Sequence, residues 1–149
     1  MNSIILGKPL AAAYIRGNKN AVTGVTSFYK TKRGVMAVTE VSGLGAFGND
    51  ILACHIHNGA SCTGTDTDPF ADAGMHYNPQ NMPHPYHAGD MPPLFCANGY
   101  AFCAFLTDRF TIDEIIGKTV IIHSKPDDFT TQPSGNAGEK IACGVIRKL

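Results

Sequence analysis

No stretch of this chain is apolar over anything near the ~20 residues a membrane-spanning helix needs. Basic and acidic residues number 12 each, so the formal net charge is zero. With no excess of either sign there is no overall field to draw the chain to nucleic acid or to an anionic membrane. Among Cys54, Cys62, Cys96, Cys103 and Cys143 there is no Cys-x-x-Cys pair, which argues against a zinc finger. No linker or charge block interrupts the 149 residues, so 1–149 reads as a single domain, long enough to bury a sizeable core. Met1 to Leu10 lack a charged start followed by a long apolar stretch. The expectation is a cytoplasmic protein if Met1 is the native start, and a secreted or periplasmic one if a leader has been removed.

What the chain does have is histidine in one constellation. The six occur as His55-Ile56-His57, Gly74-Met75-His76-Tyr77-Asn78-Pro79, His84, His87-Ala88-Gly89-Asp90 and Val120-Ile121-Ile122-His123. Imidazole is the commonest metal-ligating side chain, so a chain that uses it nowhere else is organised around metal. Side chains alternate along a strand, so His55 and His57 point the same way and can grip one ion. His123 closes a β-branched run and sits at the end of a second strand. His76, His84, His87 and Asp90 lie in a Pro-, Gly- and Asn-rich loop without helical or strand period. Four nitrogens from His55, His57, His76 and His123 suit Cu(II). His76, His84, His87 and Asp90 supply three nitrogens and one oxygen, a set acceptable to zinc. His76 is needed twice, and with six histidines only a bridging imidazolate satisfies that count.

The rest of the chain reads as all-β. Leu10–Arg16, Val22–Lys30, Val35–Val41, Ile51–His57, Leu94–Ala97, Tyr100–Leu106, Thr119–His123 and Ile141–Arg147 form eight expected strands. Asn98-Gly99 is a strong hairpin signal. Thr111–Ile116 looks briefly helical but is assigned to a connection between strands. Two long loops, Asn58–Pro93 and Ser124–Glu139, are the places to expect function.

These motifs, in this order and at this spacing, resemble the copper–zinc superoxide dismutases. The family's His-x-His pair, Gly-x-His-aromatic-Asn-Pro motif, His-x-Gly-Asp-type zinc end and strand-terminal copper histidine are all present. Gly135-Asn136-Ala137-Gly138 and Ala142-Cys143-Gly144-Val145-Ile146 match its closing signature. The resemblance is strong from about Gly43 to Ile146 and weaker over the N-terminal strands.

The resemblance implies an eight-stranded, flattened Greek-key β-barrel, sandwich-like, and an enzyme that dismutates superoxide with copper and zinc as cofactors. It implies copper on His55, His57, His76 and His123, and zinc on His76, His84, His87 and Asp90, with His76 catalytic as the bridge. By position Asp127 matches an aspartate joining a copper and a zinc histidine, here His55 and His84. Ser134 matches a small hydroxyl residue at the channel mouth. Cys62 and Cys143 match the family's disulfide, whose closed loop of about 80 residues is worth roughly 4–5 kcal/mol in the chain-entropy model. Cys54 alternates away from His55 toward the core, and a two-residue turn places Ala101, not Cys103, opposite Cys96, which argues against a second disulfide.

One departure matters. Where the family places the arginine that receives superoxide, this chain has Lys140, preceded by Glu139. Lysine keeps the charge but loses the two-donor fork, and Ser124–Glu139 sets Lys125 against Asp127, Asp128 and Glu139. The expectation is dismutation with less efficient capture of the anion. The resemblance also leaves room for a homodimer and for a copper-loading chaperone as partners. A non-catalytic copper/zinc-binding barrel, acting as metal carrier or structural module, is the alternative. It expects a lost copper ligand or degraded zinc-loop motifs, and neither is seen.

Overall fold

The computed structural model describes residues 7–149. Residues 1–6, part of the stretch read above for a leader, lie outside it. β1 (Ala11–Gly17), β2 (Thr23–Thr31) and β3 (Gly34–Ser42) form an antiparallel meander. Ala11, Ala13, Ile15, Phe28, Val35, Ala37 and Val41 alternate into one core, as period-2 patterning requires. β4 (Ile51–Leu52), β5 (Cys54–His57), β6 (Leu94–Ala97), β7 (Tyr100–Thr107), β8 (Thr119–His123) and β9 (Lys140–Lys148) complete nine strands among the described residues. Their order is β4-β6-β7-β3-β2-β1-β9-β8-β5, antiparallel throughout.

The ninth strand corrects the expected count of eight. Ile51–His57 does not run as one strand: β4 pairs with β6 at one end of the order, and β5 pairs with β8 at the other. Ala53 stands between them, donating its N–H to the Lys125 carbonyl at 2.9 Å and accepting from the His123 N–H at 2.9 Å. Because β4 and β5 are consecutive in the chain, this break nearly closes the sheet into a barrel. Closure removes the exposed edges that invite aberrant pairing.

Asn98 and Gly99 both adopt positive φ, 51° and 76°, the requirement of a type I′ hairpin, and set the register Cys96↔Ala101. Cys54, Cys96 and Cys103 are free thiols. Thr111–Ile116 does carry a helical turn within its connection, α1 (Ile112–Ile115). Glu114 there accepts from the Thr111 amide at 2.6 Å and hydroxyl at 2.7 Å, a cap that stabilises even one turn.

The strands that carry the site are buried on both sides. Cys54, Ile56, Val120 and Ile122 face the barrel core. On the outer face Ile121 and Cys143 pack against Phe70 and Ala73 of the 58–93 loop. The Cys62–Cys143 disulfide joins this second cluster, tying the loop to β9. His55 and His57 point to that same outer face, beneath the loops.

Candidate metal centre

Backbone pairing brings the loop ligands to β5. The Ile56 N–H donates to the Gly89 carbonyl, the Tyr77 N–H to the Ile56 carbonyl and the Gly89 N–H to the Tyr77 carbonyl, each at 2.8 Å. Isolated bridges then set His57 beside His76 and His55 beside Asp90. All six histidines, Asp90 and Asp127 are buried.

The hydrogen bonds decide which nitrogen of each ring is free. His57 Nδ1 donates to the Gly74 carbonyl at 2.7 Å and His123 Nδ1 to the Gly138 carbonyl at 3.3 Å. Carbonyl oxygens only accept, so the Nε2 atoms carry the lone pairs. Those atoms face each other at 3.2 Å. His55 Nε2 donates to Asp127 Oδ2 and His84 Nε2 to Asp127 Oδ1, both at 2.8 Å, leaving both Nδ1 atoms as lone-pair donors to a metal. His55 Nδ1, His76 Nε2 and His84 Nδ1 are buried and make no hydrogen bond.

The candidate ligand residues sort into two groups, each with its ligand atoms within 4.8 Å of one another: His55, His57, His76 and His123; and His76, His84, His87 and Asp90. In the second, Asp90 Oδ1 lies 2.8 Å from His76 Nδ1, and Asp90 Oδ2 lies 3.1 Å from His84 Nδ1 and 3.2 Å from His87 Nδ1. His76 thus presents Nδ1 to one group and Nε2 to the other. Converging lone pairs repel unless a cation lies among them, so the residues fit metal: nitrogen-only for copper, three nitrogens and a carboxylate for zinc.

Burial favours the neutral, ligating form of His55, His57, His87 and His123. Burial takes His55 down to about 4 and His123 down to about 3. Burial also lowers His57 and His87. Burial alone would raise Asp127 and Asp90. The hydrogen bonds from His55 and His84 to Asp127, and from His76 to Asp90, outweigh it and keep both ionised. Gly135, at φ 71°, allows the Asp127 bridge: a Cβ there would lie 2.0 Å from Asp127 Oδ1 and 2.6 Å from His84 Nε2.

The family signature for copper/zinc superoxide dismutase (SODC) matches residues 22–146, most of the chain. This chain belongs to the copper/zinc superoxide dismutase family. It is 32% identical to a Cu-Zn superoxide dismutase of Deinococcus radiodurans, over 97% of this chain and 87% of that protein. It is also 32% identical to a second Cu-Zn superoxide dismutase of Aquifex aeolicus, over 92% of this chain and 86% of the relative. The Schizosaccharomyces pombe Cu-Zn superoxide dismutase is 32% identical, over 91% of this chain and 96% of its own length.

Beside the first histidine group of this family member opens a cavity of about 670 Å³, lined by His57, His76, His123, Ser134 and Lys140 among others. Lys140 Nζ there is paired with Asp68 Oδ2 at 2.6 Å, a partner that sequence reasoning missed. Gln132 is a second such residue: it accepts from the His84 N–H at 2.9 Å and donates to the His84 carbonyl at 2.8 Å, joining the two loops. Arg109 is a third, its guanidinium donating to the Pro85 carbonyl at 3.1 Å and the His87 carbonyl at 3.4 Å. None of the three had a spacing or motif to mark it. Only polar character at a loop position hinted at a role.

Proposed function

We propose that this protein dismutates superoxide: one anion gives up an electron and leaves as dioxygen, and a second takes that electron and two protons to become hydrogen peroxide. The observation that carries this reading is His76, whose two nitrogens serve two different ligand groups. Copper supplies the one-electron store between the two half-reactions, and zinc, with a filled d shell, supplies fixed positive charge.

The chain's own residues then divide the work. His55 Nδ1 with His57, His123 and His76 Nε2 would hold copper; His76, His84 and His87 Nδ1 with Asp90 would hold zinc. His76 Nε2 is placed to carry one of the two protons the peroxide product needs, while Nδ1 keeps the ring in place. Asp127 fixes the tautomers of His55 and His84 together, coupling the two groups. Lys140 receives the anion, with Ser134 lining the same cavity.

A homodimer belongs to the same proposal: Phe95 and Phe102, on adjacent strands β6 and β7, are 67% and 56% exposed, and burying them favours association. Sedimentation equilibrium tests it. A copper-loading chaperone is proposed as a partner because the copper-side histidines are buried beneath the loops. Its test is copper uptake with and without a metallochaperone.

The deciding experiment combines metal analysis with superoxide decay after pulse radiolysis. The expected protein holds a single copper and a single zinc per chain, and His76→Ala loses fast turnover. Full activity in that variant sinks the bridging role. A metal-loaded wild type that leaves superoxide at its spontaneous decay rate identifies a metal carrier instead.

A further inference from the structure

The mouth of the copper-side cavity carries charge of the wrong sign for capturing an anion. Its ionisable lining residues, besides the histidines, are Asp66, Asp68, Glu139 and Lys140: three carboxylates against one ammonium. That ammonium is already engaged. Lys140 opens β9 directly beside His123, which fixes its backbone at the site. Its flexible stem turns the charge across the cavity to Asp68, on the 58–93 loop. The lysine side chain is 17% exposed and the aspartate 43% exposed, so the pair sits where solvent and substrate enter. Two opposite charges this close largely cancel at the distance of an approaching ion. Asp66 and Glu139 then remain as the net charge of the mouth.

We propose that Asp68 sets the anion affinity of the site by clamping Lys140, so that an entering anion must compete with a resident carboxylate for the cavity's one ammonium. This rests on the dismutase reading for the identity of the anion, and makes Asp68 a positioning residue acting through Lys140. Lysine suits a clamp that releases, because its three rotatable donors can leave one acceptor for another without breaking a two-point fork.

Asp68→Asn removes the charge and keeps the turn. The Phe70 amide donates to Asp68 Oδ1 at 3.2 Å, and the asparagine carbonyl preserves that acceptor. The probe is azide, titrated into copper(II)-loaded protein and read from its visible charge-transfer band, so binding is measured without turnover. Asp68→Asn tightens azide roughly three- to tenfold, because the freed ammonium faces the cavity. Asp66→Asn removes the same charge from the same mouth but holds no lysine, and changes azide affinity by roughly twofold or less. In turnover, Asp68→Asn raises kcat/KM and gives it a fall with added salt that the wild type lacks.

An equal gain in the two variants means that only net charge matters and overturns the clamp. So does unchanged azide affinity in Asp68→Asn. Weaker azide binding overturns it as well, by making Asp68 a residue that aims Lys140 productively. If azide behaves as expected while no variant turns over superoxide, the clamp stands and the dismutase reading falls.

Discussion

His57 and His123 meet Nε2 to Nε2 at 3.2 Å, each with its other nitrogen committed to a backbone carbonyl. Both rings are held neutral by burial, so two lone pairs are pressed together. Ions that bind only the folded chain add stability by mass action, about 2.7 kcal/mol for each at a hundred times its Kd. Chelation is therefore expected to lower the calorimetric Tm in steps, one for each metal. A metal-free protein that melts with the loaded one contradicts the assignment of these nitrogens as ligands.

Asp127 accepts from His55 and His84 with its two oxygens, and only a carboxylate can accept on both sides. In Asp127→Asn the amide group sets N–H against N–H at one of the two rings. Loss of such an outer hydrogen bond typically costs about 10–100-fold in metal affinity. Competition with chromophoric chelators is expected to show weakened binding of both metals. Weakening of one alone means that the aspartate does not couple the groups.

The disulfide between Cys62 and Cys143 spans 81 residues and anchors the start of the 58–93 loop beside Phe70, Ala73 and Ile121. Closing a loop of that length restricts the unfolded chain by roughly 4–5 kcal/mol in the entropy model. Cys62→Ser is expected to lower the denaturation midpoint of metal-free protein by that order, while the metal-loaded variant stays folded through ligand linkage. Matching urea midpoints for metal-free wild type and variant argue against this stabilisation.

The constellation of candidate ligands was legible in the chain because its constraints are local. His55 and His57 share a face through the two-residue period of a strand, and His87 and Asp90 lie three residues apart in a tight turn, joined by a 3.0 Å bond from the His87 amide to Asp90 Oδ2. The Cys96↔Ala101 register likewise followed from a two-residue turn. The division of Ile51–His57 at Ala53 was not legible, since its apolar residues suit one strand equally well. It arises from hydrogen bonds to Lys125 and His123, far along the chain. Asp68 on Lys140, Arg109 on Pro85 and His87, and Gln132 on His84 depended wholly on tertiary structure. Each joins a loop residue to a partner 22 or more positions away, with no periodicity to announce it. Residue order alone thus determined the candidate ligand types and the two groups they can form, because metal chemistry and strand geometry act over a few residues. Which charges pair at the cavity mouth was decided only when residues of the two irregular loops and the start of β9 packed together, because side chains there meet by proximity in space.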